Sequence, residues 1–391
     1  MRTRWRVLLV AALGCVAVGG AVFVRRAPPP GPPAVALQRV LADAVAGDRS
    51  IRHAVLAVAS GDGRFAWAGA AGTADADGQE PMLATTPICI ASVTKLYTAT
   101  VVMRLEERGL LALDDPIAKH LPPALITGIA IYRGVDQSGR ITIRDLLAHR
   151  SGIADYYDSP GPDGKTLFDH FVADPRRHWT VDETIARVRG AMAATSLPDT
   201  RTEYVDTDYQ LLGKLIERVA GKPLAAVYDE LIFRPLGLRN TWLVGFPPSS
   251  APQRRAAVVF DGARDITQVR ANGAYWADGG IVSTADEMVR FLRALNSGRI
   301  VRPDTLARMH RWQRMWFAFD YGYGTMRFRL PWPLGAVLGL PPLWGHSGST
   351  GAFLYYDEAA DLYLAGTVDQ TRARRAPFAL MARAIAIARR A

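Results

Sequence analysis

Strand-like runs stand at both ends of this chain, and helical patterns fill the stretch between them. Residues 54–59 and 65–69 are apolar and flank Gly61-Asp62-Gly63, the composition of a β-hairpin. Strand signals return only late, at 321–328, 351–356 and 362–368, with an acidic turn joining the last two. This order predicts one sheet assembled from both termini, with a helical insertion between its parts. Residues 37–45 read as a short helix ahead of the first strand, and 376–390 as an amphipathic helix closing the chain. With 391 residues, 49% of them hydrophobic, the chain can bury such a core.

The most chemically pointed pattern opens the helix that follows the first strands. The chain has only five lysines, Lys95, Lys119, Lys165, Lys214 and Lys222, and Lys95 alone has a serine three residues upstream. From Ser92 the period turns helical through Val93, Leu96, Tyr97, Thr100, Val101 and Leu105, and Gly109 fits a carboxyl cap. Residues i and i+3 share a helix face, so the Ser92 hydroxyl and the Lys95 amine become neighbours. A serine nucleophile whose proton leaves toward a nearby base needs that pairing, and a helix amino terminus favours developing negative charge. Alone, the same spacing describes many helix caps followed by a solvated lysine. Downstream, Thr207-x-x-Gln210 reads as a capping box before a helix that stops at Gly221. Residues 152–179, rich in Asp, Pro and Tyr, read as a long surface loop bordering a cleft.

Residues 7–24 form an uninterrupted apolar run with Arg2, Arg4 and Arg6 before it and Arg25 and Arg26 after it. The run is at the short end for a membrane span and long for a signal-peptide core. The denser arginines on its amino side predict a cytoplasmic start and an exported body. A stiff spacer, Ala27-Pro28-Pro29-Pro30-Gly31-Pro32-Pro33, follows. An uncleaved anchor is the first reading; a cleaved signal, and a lipoprotein on Cys15, are the alternatives. These five arginines carry half of the net charge of +10, and no basic run is interleaved with aromatics, so no nucleic-acid partner is expected. The carboxyl-terminal arginines, Arg383, Arg389 and Arg390 among them, read as the solvated face of the last helix. Cys89 is the one cysteine beyond the amino-terminal segment, so no internal disulfide can form there, and it reads as a buried strand residue. The histidines show no metal-ligand spacing, so neither metal nor other cofactor is expected.

Three short motifs then fall in a telling order: Ser92-x-x-Lys95, Tyr204-Val205-Asp206 and His346-Ser347-Gly348. Around them stand Leu113-Asp114-Asp115-Pro116, Ile143-Arg144-Asp145-Leu146-Leu147-Ala148-His149, Ser151-Gly152 and Gly279-Gly280-Ile281-Val282-Ser283-Thr284. The chain resembles the penicillin-recognising serine hydrolases, most closely their class C β-lactamase, D-alanyl-D-alanine carboxypeptidase and esterase group. The resemblance implies an α+β, β-lactamase/transpeptidase-like fold, in which an antiparallel sheet flanked by helices meets a largely helical second lobe. Residues 1–33 would be a cytoplasmic stub, an anchor or signal segment and a spacer; 34–391 would be the catalytic domain. Its sheet lobe would span about 34–112 and 250–391, and its helical lobe about 113–249.

The resemblance further implies Ser92 as nucleophile, Lys95 as its hydrogen-bonded partner and Tyr204 as general base. Asp206, His346, Ser347 and Gly348 would bind or tune the substrate, and the N–H groups of Ser92 and Ser349 would form an oxyanion hole. Two departures bear on chemistry. Asp206 stands where the family usually has Asn, and an ionised carboxylate can only accept hydrogen bonds. It would also keep Lys95 protonated and oppose ionisation of Tyr204, so a neutral tyrosine relaying the proton is expected. His346 stands where Lys is common and is a weaker anchor for a substrate carboxylate at neutral pH. Both changes favour a peptidase on D-amino-acid peptides, or an esterase on small substrates, in the cell envelope. An exported sensor that keeps the fold without efficient turnover, and a weak β-lactamase, are the alternatives. Gly345-His346-Ser347-Gly348-Ser349 nearly matches a nucleophile elbow on Ser347, but a strand follows where an elbow requires a helix.

Overall fold

The computed structural model describes residues 31–246, 255–270, 273–338 and 340–390. The apolar run at 7–24 therefore lies outside the described residues. Among the described residues, no helix is long and apolar enough to cross a membrane.

Eight antiparallel strands form the main sheet, in the order Gln313–Trp316, Phe319–Tyr321, Met326–Phe328, Leu343–Ser347, Phe353–Asp357, Leu362–Thr367, His53–Ser60 and Ala66–Gly72. His53–Ser60 pairs with Leu362–Thr367 on one side and with its own hairpin partner on the other, so both ends of the chain build the sheet. Along it, Val55, Ala57 and Ala59 enter one apolar layer with Leu354, Tyr363 and Ala365. The alternate residues Ala54, Leu56 and Val58 enter a second with Phe353, Tyr355 and Leu364. Both faces are covered, which explains apolar runs without alternation. Helix Ala285–Asn296 lies over the first face, and Pro33–Gly47 and Ala376–Ala388 pack together on the second.

Several expectations need correction. The closing helix has no wide solvated arginine face: Arg383 is buried and reaches Asp43 on Pro33–Gly47 at 2.7 Å, and Arg389 reaches buried Asp357 at 3.1 Å. A helix held between a sheet and a second helix turns most of its circumference inward. Residues 321–328 are no single strand but the ends of two, Phe319–Tyr321 and Met326–Phe328, paired as a hairpin. Residues 152–179 are more than a surface loop, because Ile153, Tyr156, Leu167 and Phe171 are core residues and Leu167–Ala173 is a helix. The capping box at Thr207 does not form. Helix Asp206–Ala220 starts two residues earlier than that box requires, and Thr207 Oγ1 instead donates to Ala154 O at 2.8 Å and accepts from Tyr156 N at 2.9 Å. That helix does stop at Gly221, which adopts the left-handed φ of +65° that glycine tolerates.

Helix Thr94–Glu107 joins the layers. It packs on Asp206–Ala220, while its Tyr97 ring stacks on Phe291 of Ala285–Asn296 at 3.7 Å and 13°. Such an aromatic pair adds roughly 0.5–1.5 kcal/mol beyond its buried area. The start of Thr94–Glu107 is thereby held between the sheet and the helices of the insertion.

Candidate active site

Chain direction reverses just ahead of Ser92. The short strand Ile88–Cys89 ends, Ala91 takes a left-handed φ of +46°, and the 3-10 turn Ala91–Val93 runs into Thr94–Glu107. That conformation costs an L-residue roughly 1–2 kcal/mol. Neighbouring bonds hold it: Ile90 N donates to Ile281 O at 3.1 Å, and Ile281 N donates to Thr94 Oγ1 at 3.0 Å. Strand Leu343–Ser347 delivers the third motif against the same turn. A Cβ on Gly348 would meet Ile90 O at 2.5 Å, so only glycine lets the two segments approach this closely. Ser92 is left half-buried.

Lys95 is fully buried, and its Nζ donates to Ser92 Oγ at 3.2 Å, Asp206 Oδ1 at 2.5 Å and Asp278 O at 2.8 Å. Three donations use all three hydrogens of an ammonium. Burial alone would lower the Lys95 pKa, but the Asp206 carboxylate, the largest of the opposing charges, carries it above the ordinary lysine value. Asp206 is the first residue of helix Asp206–Ala220, and its side chain serves Lys95. Its own N–H is held by Asp155 Oδ2 at 2.5 Å.

Tyr204 comes from the segment just before that helix, and its ring centre lies 4.9 Å from Lys95 Nζ. Burial pushes its phenol well up, Lys95 opposes, and Asp206 adds to the rise. The group is a neutral phenol at physiological pH. His149 supports it from behind. Its ring centre is 4.5 Å from that of Tyr204, its Nδ1 accepts from Val205 N at 3.2 Å, and its carbonyl accepts from Glu203 N at 2.8 Å.

His346 lies in strand Leu343–Ser347 with its side chain fully buried. Nδ1 lies 2.8 Å from the Ser347 carbonyl, which can only accept, so Nδ1 carries the proton; Nε2 then accepts from Tyr321 Oη at 3.1 Å. Burial first, and Lys95 second, bring its pKa down to about 3, so the ring is neutral. Ser347 Oγ pairs with Tyr355 Oη at 2.8 Å. Gly348 N donates to Ala352 O at 2.7 Å, which shapes a tight turn that leaves Ser349 exposed. Ser92, Lys95, Tyr204 and Asp206 thus converge, and the turn that carries Gly348 and Ser349 packs against Cys89, Ile90 and Ala91 just ahead of the serine.

Sequence reasoning missed Asp278. It immediately precedes the quoted Gly279-Gly280 stretch, but nothing in its surroundings signals that its carbonyl would hold Lys95. Its carboxyl accepts from Tyr156 Oη at 2.7 Å and Trp276 N at 3.3 Å. Burial, then Asp206, push it up to about 7 against the pull of Lys95. Trp316, whose ring centre lies 5.8 Å from that of Tyr204, was also not singled out. Among the described residues, no group of three or more His, Cys, Asp or Glu could hold a metal ion.

Comparison with known proteins follows the same lines. The sequence model of the family described as Beta-lactamase matches residues 37–388. Esterase EstB of Burkholderia gladioli is 30% identical over 282 residues, which span 64% of this chain and 68% of the esterase. The D-alanyl-D-alanine-carboxypeptidase/endopeptidase AmpH of Escherichia coli K12 is 27% identical over 68% of this chain and 66% of its own length. Among solved structures, the D-amino acid amidase of Ochrobactrum anthropi SV3, complexed with L-phenylalanine amide, superposes with a TM-score of 0.73. It is 25% identical and aligns over 90% of this chain and 97% of the amidase.

Proposed function

The chain belongs to the beta-lactamase family and is a serine hydrolase with a β-lactamase/transpeptidase-like α+β fold, and from that premise we propose that it cleaves small esters through an acyl-enzyme on Ser92. The observation that carries the choice of substrate is the state of His346. A carboxypeptidase must anchor a free carboxylate. Here the histidine of the third motif is neutral, buried and engaged at both ring nitrogens, so it offers no charge and no free donor. An ester without a carboxylate loses nothing by this. Amides of D-amino acids are the second reading, favoured by the likeness to the D-amino acid amidase.

In the mechanism, Ser92 Oγ attacks the carbonyl carbon while its proton passes to Tyr204 Oη and the Tyr204 proton moves to the leaving oxygen. The alcohol departs and an ester on Ser92 remains. Water then attacks that ester, giving a proton to Tyr204, which returns its own to Ser92 Oγ. Lys95, held as an ammonium, donates to Ser92 Oγ and steadies the charge that develops there. The N–H groups of Ser92 and Ser349 receive the oxyanion, a role in which one donor is typically worth roughly 3–4 kcal/mol of barrier. The apolar run at 7–24 supports an anchored domain acting in the cell envelope.

A fluorophosphonate probe with peptide mapping, beside hydrolysis of small esters, D-phenylalanine amide, a D-Ala-D-Ala peptide and a cephalosporin, tests this reading. Labelling should fall on Ser92, Ser92→Ala should abolish both labelling and turnover, and esters should have the highest kcat/KM. Labelling on Ser347, or a D-Ala-D-Ala peptide cleaved faster than every ester, would overturn it. An adduct that forms once with substrate and never turns over would mark a sensor.

A further inference from the structure

We propose that Trp316 is the aromatic wall of a leaving-group subsite, and that it directs this hydrolase toward substrates whose departing alcohol or amine carries an aromatic ring. The proposal rests on the reading above, in which Tyr204 hands its proton to the leaving group. Trp316 lies against the ring of that tyrosine, so it borders the part of the substrate that departs.

Trp316 ends the edge strand Gln313–Trp316. The pairing of this strand with Phe319–Tyr321 slips between Arg314 and Trp316: Arg314 faces Asp320, yet Trp316 faces Phe319, which leaves Met315 as the extra residue. A bulge of this kind re-aims the side chain that follows it. The re-aimed indole comes to rest with its ring centre 5.8 Å from that of Tyr204, tilted by 37°. It meets Phe319 edge-on at 6.2 Å, so one part of the ring has a packing partner while 44% of the residue stays exposed. Phe317, at the hairpin tip beside it, is 40% exposed.

A lone exposed tryptophan needs no functional account. This one is held in place. Asp320, buried and paired across the hairpin with Arg314, accepts from Arg327 Nη2 at 2.8 Å and Nε at 3.1 Å, with Arg314 and Arg329 each 3.7 Å away. Three arginines on one carboxylate fix the hairpin, and with it the indole, relative to the central strands. A large apolar ring that is rigidly positioned, open on one side and adjacent to the proton relay suits a flat apolar group, which would stack or meet it edge-on.

The test compares wild type, Trp316→Ala and Trp316→Phe on two ester series. One holds an acetyl group constant and varies the leaving alcohol from methyl and ethyl to phenyl and 2-naphthyl. The other holds the alcohol constant and varies the acyl group. Comparing each substrate with itself across the variants cancels its intrinsic reactivity. Trp316→Ala should lower kcat/KM for aryl leaving groups by about 5- to 20-fold. Small alkyl leaving groups should change by less than about 2-fold, and Trp316→Phe should retain most of the aryl preference. An equal loss across all alcohols, a loss that follows the acyl series, or no change would overturn the proposal. The rate of fluorophosphonate labelling at Ser92 reports separately. If wild type is not labelled there, the reading of the mechanism fails; if it is labelled and the aryl selectivity does not move, only the role of Trp316 fails.

Discussion

Replacing Asp278 by Asn should change how stability depends on pH, and the geometry sets both sign and size. The carboxyl is buried beneath Lys95, and its pKa is pushed from an ordinary 3.8 to about 7, first by burial and then by Asp206. That rise corresponds to about 4 kcal/mol. A carboxyl whose folded pKa is raised binds its proton more tightly in the native chain than in the unfolded one. It therefore costs nothing below the ordinary aspartate value, and its cost grows as pH climbs from about 4 to about 7, where it is complete. Asn preserves the local bonds. Neutral Asp278 can donate to the Tyr156 oxygen while Tyr156 donates to Ala274 O at 3.2 Å, and an Asn amide can do the same. Its carbonyl can still accept from Trp276 N. Denaturant unfolding of both proteins at intervals from about pH 5 to about pH 8.5 should give curves that diverge. The variant gains on wild type with rising pH, by at most about 4 kcal/mol. Parallel curves, or a variant that loses ground as pH rises, would refute the assignment of a carboxyl at this position that keeps its proton up to about pH 7.

Two further substitutions probe the relay. Tyr204→Phe keeps the ring against His149 but removes the proton carrier, so kcat should drop roughly 10²–10⁴-fold while fluorophosphonate still reaches Ser92 slowly; a loss below about 10-fold would assign the relay elsewhere. Asp206→Asn removes the charge that raises both Lys95 and Tyr204, so the alkaline limb of kcat/KM should move to lower pH, and an unmoved limb would show that the carboxylate does not tune either group.

What could be read from the sequence follows from what is local. The Ser92–Lys95 pair needs only helical spacing, and the hairpin around Gly61 and the strands 351–356 and 362–368 need only composition and turn residues. Strand Leu343–Ser347 escaped notice because Gly345 and His346 carry little strand propensity; its place in the middle of the sheet comes from pairing with Met326–Phe328 and Phe353–Asp357. The capping box at Thr207 failed because its hydroxyl found partners some fifty residues earlier, at Ala154 and Tyr156. Arg383 looked solvated because the partner that buries it, Asp43, lies at the other end of the chain. Asp278 contributes to the site through its backbone carbonyl, and the identity of a side chain carries no signal for that.

The aspartate at the second motif changes the division of labour within the site more than its position suggests. An Asn at 206 would offer Lys95 an acceptor without charge, and the amine could trade a proton with its surroundings. Asp206 instead completes a set of three acceptors, with Ser92 Oγ and Asp278 O, around a nitrogen that has no access to solvent. In the proposed mechanism a lysine in that setting holds its proton through the catalytic cycle, because releasing it would leave the Asp206 carboxylate facing a neutral amine in a largely buried place. The proton of Ser92 then has one polar destination within the converged group, the phenol oxygen of Tyr204. That oxygen can accept it only as its own proton departs, since burial first, and the Asp206 charge after it, hold the phenol neutral. On the proposed reading, attack and protonation of the leaving group are thereby tied into one step. An ester is well suited to that coupling: its alcohol is a better leaving group than an amine, and the transfer to it need not be complete when the bond breaks. The carboxylate that departs from the family pattern and the neutral histidine of the third motif thus point to the same substrate by independent routes, one through proton transfer and the other through recognition.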